Sequence, residues 1–305
     1  MADPGVSEVL TPAPGAGVGL APLAALGLLT VIWGLSVPMM KLGLADMPAP
    51  ALVSLRYLVA APCFALLLIG RKLPRPRALA GMVGLGIFGV DVGQFAQMEG
   101  VARCPASLAS MITAIIPVLT VLLASLRLRQ RVRPTHVAGF VLALAGIAVA
   151  VLRPAQTAPG ASTALIGEGL VVLSTVCIAG YYVFSAELAL REGVIVTGAW
   201  STLAATAGLV PIALWTVPAG AVHVTPRAVA VVLFLGLAVT VLGIGIWLRA
   251  LGRLPARIAG ASQYGQPLVG IAASAALFGD PLGARFLIGT ALVLAGIALC
   301  ARAGA

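Results

Sequence analysis

The chain is expected to be an all-α integral membrane protein of ten transmembrane helices, built as two inverted-topology repeats of five. Three observations predict this. Of its 305 residues 61% are hydrophobic and only 9% charged, against roughly 25% charge in a soluble domain, and mean hydropathy is +1.11. The apolar residues fall into ten runs, each close to the roughly 20 residues that a helix needs to cross the hydrocarbon core. The chain also matches itself at an offset of 150 residues.

The runs occupy residues 20–42, 51–70, 78–98, 105–126, 135–152, 166–187, 196–217, 228–250, 256–278 and 285–302. Residues 1–19 are rich in Pro, Gly and Ala and lack the basic start of a signal peptide, so a disordered cytoplasmic tail is expected there. The first repeat is placed at 20–152, a linker at 153–165 and the second repeat at 166–302. Helical spacing sets Trp33, Ser36 and Met40 on one face of the first run. The second run carries Arg56. The third ends in "VDVGQFAQME", where Asp91, Gln94 and Met98 share a face and Gln97 falls off it. Pro117 interrupts the fourth run, Tyr181, Tyr182 and Ser185 form a patch on the sixth, and Pro211 lies within the seventh. Gln263, Tyr264 and Gln266 precede Pro267 in the ninth.

The repeat rests on paired landmarks. At the offset of 150, Pro105-Ala106 meets Pro255-Ala256, Pro117 meets Pro267, and "LAGIA" at 144–148 meets "LAGIA" at 294–298. Gly86 meets Gly236 and Gly93 meets Gly243; from 105 to 149, eleven of 45 positions are identical. Five spans per half is an odd number, so the halves lie in the membrane with opposite orientation. Secondary transporters use this arrangement, with a substrate site near the midplane between the repeats.

A net charge of +10 raises the question of nucleic acid, and the positions of the basic residues answer it. With the N-terminus in the cytoplasm, thirteen fall on the cytoplasmic side: Arg71, Lys72, Arg75, Arg77, Arg127, Arg129, Arg131, Arg133, Arg191, Arg249, Arg253, Arg257 and Arg302. Four fall opposite: Arg103, Arg153, Arg227 and Arg285. This asymmetry follows the positive-inside rule, with both termini cytoplasmic, and leaves no nucleic-acid footprint. The cysteines Cys63, Cys104, Cys177 and Cys300 stand singly, without metal-ligand spacing, so no metal or other cofactor is expected.

A charge inside the bilayer costs about 2.5–3.5 kcal/mol on insertion scales, so it needs a partner, water or a function. Arg56 and Asp91 both sit at roughly 8–12 Å depth by helical rise. Two readings stay open: a buried Arg56–Asp91 ion pair that fixes packing, or a pair bordering the transport path, where Asp91 exchanges a proton or frees Arg56 for an anionic substrate group. The amides of Gln263 and Gln266 before Pro267, and the hydroxyl of Thr113 before Pro117, either satisfy freed carbonyls or face a cavity. Lys41 and Glu99, near helix ends, are expected to snorkel to the interface. The candidate pathway is thus Trp33, Ser36, Arg56, Asp91, Gln94, Met98, Tyr181, Gln263, Tyr264 and Gln266, with Pro117 and Pro267 as kinks.

The stretch "VIWGLSVPMMKLGLADMPAPALVSLRYLVA" (31–60) resembles the opening of EamA-domain transporters of the drug/metabolite transporter superfamily, through Trp33-Gly34, Lys41, Pro48, Pro50 and Arg56. The likeness continues at 94–124 and 243–282, where Gln130 and Asp280 depart from the family's Gly-Glu-Arg turns. It looks closest to bacterial exporters of amino-acid metabolites of the O-acetylserine and cysteine type. The resemblance implies a ten-helix inner-membrane exporter, monomer or homodimer, moving a small molecule with or without protons and without an ATPase subunit. The alternative is an importer or exchanger of sugars, nucleotide sugars or other metabolites. An enzyme is not expected: HExxH and GxSG with a mid-span His are missing, and His136 and His223 fall at helix ends or loops. No charged ring or carbonyl filter speaks for a channel.

Overall fold

In hydrocarbon a backbone must satisfy its own polar groups, and a chain this apolar answers with helices. A computed structural model describes residues 20–127, 134–151, 161–251, 263 and 265–303. Its helices are α1 Leu20–Gly43, α2 Ala49–Leu67, α3 Pro76–Arg103, α4 Ala106–Arg127 and α5 Pro134–Val151. They continue as α6 Ala161–Glu192, α7 Val194–Thr216, α8 Pro226–Trp247, α9 Gly265–Phe278 and α10 Ala284–Ala303. No strand occurs among the described residues. Among the described residues eight helices, α1 to α8, are long and apolar enough to cross a membrane; the apolar helices in α9 and α10 are shorter. The chain is a multi-pass membrane protein. Helix α6 starts at Ala161, so part of the stretch expected as linker is helical.

Prolines punctuate these helices where their missing N–H frees a carbonyl. Helix α1 breaks at Leu35, three residues before Pro38, and α4 breaks at 114–115 ahead of Pro117. There Ala114 N–H and Ile115 N–H reach back only three residues, to Met111 O and Ile112 O. Pro62 and Pro211, in contrast, lie inside unbroken α2 and α7. Pro267 is the third residue of α9 as described.

Two helices widen in mid-course. Gly86–Val92 of α3 and Phe234–Leu242 of α8 are π-helical. Advanced by 150 residues, the first segment falls on 236–242, inside the second. The same offset relates Gly70 (φ 74°) to Gly220 (φ 83°), each in the loop that enters a widened helix. Pro76-Arg77-Ala78 likewise meets Pro226-Arg227-Ala228 at the helix starts.

Helix packing follows the same offset. Helix α2 packs on α7, α4 on α9 and α5 on α10, while α3 packs on α6 and α1 on α8. The α5–α10 contact is a glycine seam. A Cβ on Gly146 would lie 2.5 Å from Gly289 O, and one on Gly289 would lie 2.5 Å from Gly146 O. Small residues let backbones approach in lipid, where helix association depends on van der Waals contact. Gly289→Val is expected to lower stability by about 1–3 kcal/mol through overpacking. Gly27→Val, at a site where an added Cβ meets nothing, should leave it unchanged; thermal melting in detergent compares the two.

Candidate functional site

The widened segments are where buried polarity collects. An i→i+5 turn disturbs the regular backbone ladder, and such turns recur at functional sites. In α8 the segment serves as a shelf. Val239 O accepts a hydrogen bond from Trp33 Nε1 (3.0 Å), and Trp247 packs against the same indole, ring centroids 5.9 Å apart. Thr240, next along, donates from Oγ1 to Leu235 O (2.8 Å) and accepts from Arg56 Nε (3.0 Å).

Arg56 therefore reaches α8 from α2, and it reaches α3 as well. Its Nη1 donates to Gln94 Oε1 at 2.9 Å. The residue is only 6% exposed, and its guanidinium lies 5.4 Å from the Tyr57 ring centroid. A buried guanidinium held by two neutral acceptors retains unengaged N–H donors, since the group carries five.

Asp91 does not pair with Arg56. No nitrogen–oxygen contact within 4 Å joins them; among the described residues the ion pairs are Arg103–Glu99, Arg127–Glu187 and Arg227–Asp46. The reason is local. Asp91 stands inside the widened turn and Gln94 just beyond it, so α-helical spacing misstates their relative direction. Gln94 faces Arg56, whereas the Asp91 carboxyl lies against Gly208 of α7, where a Cβ would collide with it. Asp91 is 8% exposed, and its Oδ1 has no hydrogen-bond partner. An unsatisfied buried acceptor costs about 1–3 kcal/mol, more when charged.

The other candidates separate. Tyr181 packs on the α3 segment, where a Cβ on Gly89 would lie 2.5 Å from the tyrosine Cβ. Ser36 Oγ donates to Trp33 O within α1 (2.6 Å), and Met98 is wholly buried in the core. Gln266 Nε2, on α9, donates to Oε1 of Gln263 just before that helix, while the buried Gln263 Nε2 has no hydrogen-bond partner. Tyr264 lies outside the described residues. Lys41 does not snorkel: its Nζ donates to Val101 O (2.8 Å), Ala102 O (3.2 Å) and Cys104 O (2.9 Å). A cation there caps the unsatisfied carbonyls at the end of α3. Glu99 pairs along its own helix with Arg103.

Two further contacts fasten one end of the bundle, and composition gave no warning of them. Asp46, in the α1–α2 loop, accepts from Arg227 Nε (2.8 Å) and Nη2 (2.7 Å) at the start of α8, and its carbonyl accepts from His223 N–H (2.9 Å). Asp280, after α9, accepts from Ser107 N–H at the start of α4 (2.8 Å). Thr240 and Gly208 were also missed, one a lone threonine in an apolar run and the other one glycine among 36.

The comparisons with known proteins agree on the kind of protein this is. The model of the EamA-like transporter family matches twice, over residues 21–152 and 165–302. The chain belongs to the EamA-like transporter family. Family members are transporters, not enzymes, so this chain is a small-molecule transporter embedded in the membrane. It is 29% identical over 287 residues to a probable amino-acid metabolite efflux pump of Salmonella typhimurium, covering 88% of this chain and 91% of that protein. It is 29% identical over 281 residues to a probable terminal-alkyne amino-acid exporter of Streptantibioticus cattleyicolor, covering 91% and 92%. A solved crystal structure superposes with a TM-score of 0.63 at 20% identity, over 92% of this chain and 96% of its own, which shows the fold alone.

The Arg227 guanidinium, hydrogen-bonded to Asp46, holds that carboxyl below the usual carboxylate range. A lowered value in the folded state stabilises the fold at higher pH. The contribution is complete above about pH 4, the ordinary aspartate value, and fades as pH falls through the lowered one. Melting in detergent between neutral pH and pH 3 should therefore show an acid loss that Asp46→Asn removes.

Proposed function

We propose that this transporter exports amino acids or related small metabolites across the bacterial inner membrane by alternating access. Its working parts are two inverted halves of five spans, 20–152 and 166–302, joined by 153–165, with both termini cytoplasmic. The single observation that carries the reading is the buried Arg56–Gln94–Thr240 cluster, with Asp91 unpartnered beside it. A guanidinium fork matches a carboxylate, the group that all amino acids share. The names of the relatives support the same substrate class.

Several features support the two-half arrangement. The widened segments, the positive-φ glycines and the Pro-Arg-Ala helix starts all recur at an offset of 150 residues. Helices pair in the manner expected of an axis that exchanges the halves: α2 with α7, α4 with α9, α5 with α10, and α1–α8 mirroring α3–α6.

In the proposed cycle, Asp91 takes a proton while substrate leaves Arg56, which couples export to proton entry. With both termini cytoplasmic, the Asp46–Arg227 clasp would join the halves at the external end. Its counterpart Arg77, at the cytoplasmic end, has no ion pair among the described residues. In the proposed cycle, opening the external end requires the clasp to part.

Expressed in a sensitised bacterium, the chain should raise tolerance to toxic amino-acid analogues, and Arg56→Ala should abolish the effect at unchanged membrane abundance. No tolerance across the panel, with no counterflow in proteoliposomes, would refute the reading. Asp91→Asn should retain exchange but lose the response to an imposed pH gradient. Asp46→Asn should speed external labelling of a cysteine placed at Gln94.

A further inference from the structure

Two concavities mark the outside of the bundle. One, of about 690 Å³, runs along a single face of α5 from Pro134 to Ala145 and carries no charged side chain. The other, of about 480 Å³, lies where α3, α6 and the last residue of α4 meet. Its lower walls are apolar, with Phe88 48% and Phe184 45% exposed. Gly84 leaves it open, since a Cβ there would meet nothing within 4 Å. Its mouth is charged.

Arg127 closes one side of that mouth. Its Nε lies 2.9 Å from Glu187 Oε1 and its Nη2 3.1 Å from Oε2, and the guanidinium stands 5.8 Å from the Phe184 ring centroid. These contacts fix the group while leaving Nη1 unengaged. Arg191 lines the opposite side and forms no ion pair among the described residues. Glu187, and Glu192 next to Arg191 at the end of α6, offset these two charges. However, Arg71, Lys72, Arg75 and Arg77 stand at the same end of the bundle, beside the start of α3. The potential at the mouth is therefore positive. Phe88 lies twelve residues into α3, about 18 Å along its axis.

We propose that this groove binds one anionic phospholipid. Its phosphate rests on Arg127 and Arg191, and an acyl chain runs between α3 and α6 past Gly84 to Phe88. Cations at the membrane surface above an apolar trough reproduce the profile of such a lipid, and basic pockets between membrane helices hold anionic headgroups. A free phosphate would leave the trough empty, and the choline of phosphatidylcholine would bring a third cation to the arginines. The α5 concavity, without charge, offers no such selection. The site is separate from the buried cluster and does not depend on what the protein transports.

The test uses the full chain in nanodiscs of phosphatidylcholine with increasing phosphatidylglycerol, with retained lipid counted by native mass spectrometry. One phosphatidylglycerol should be held in preference to phosphatidylcholine. Each arginine is worth about fivefold in affinity, so Arg127→Gln with Arg191→Gln should weaken retention by about 25-fold, while the paired lysine variants stay within a few fold. Gly84→Leu keeps every charge and fills the trough, and should expel the lipid equally. A melting temperature matching that of the unmodified chain in lipid-free detergent establishes that each variant is folded, and should one fail, the other decides. Equal retention of phosphatidylcholine, unchanged phosphatidylglycerol in a folded variant, or displacement by equimolar inorganic phosphate would each overturn the proposal.

Discussion

A helix in hydrocarbon must use its own carbonyls, and the rest of this structure depends on where that rule is relaxed. Helices α3 and α8 widen at Gly86–Val92 and Phe234–Leu242. Each irregularity then takes partners from other helices. The Val239 carbonyl receives the indole of Trp33, Thr240 receives the guanidinium of Arg56, and the α3 segment carries Asp91 toward α7. Polarity that would be costly anywhere else in the bilayer is thus concentrated where the backbone already departs from regularity. The same irregularity that holds α1, α2 and α8 together assembles the candidate site.

This explains how far the sequence could be read. Apolar run lengths marked the helices because a bilayer imposes a length on every span, and the helical, membrane-embedded class followed from composition alone. Arg56, Asp91, Gln94 and Trp33 stood out because polar or aromatic groups in an apolar run need a reason to be there. Their partners could not be read. Asp91 and Gln94 share a face only on α-helical spacing, and one widened turn sends them to different helices. Thr240 is a single hydroxyl in "LAVTVL", significant only because Arg56 arrives from 184 residues away. Met98 had the right spacing to line a path, but lies fully buried.

The helix ends follow a different logic from the middle. Lys41 caps the carbonyls of α3, Asp280 caps an amide of α4, and Asp46 grips Arg227. Each joins segments far apart in the chain by satisfying backbone or charge that a helix end leaves open. Such contacts depend on loop conformation, so neither periodicity nor charge counting reveals them. The Pro-Arg-Ala pairing at 76–78 and 226–228 is readable in the sequence, and it becomes informative only once Arg227 is seen held while Arg77 forms no ion pair among the described residues.

The glycine seam between α5 and α10 carries a mechanical consequence. Where Gly146 and Gly289 meet backbone to backbone, the two helices have no side chains to slide over and no slack to separate. In the proposed cycle the remaining helices would pivot about that line, like pages about a binding, with amplitude growing with distance from it. A covalent staple across α5 and α10 would leave turnover intact, whereas the same staple across α2 and α7 would arrest it.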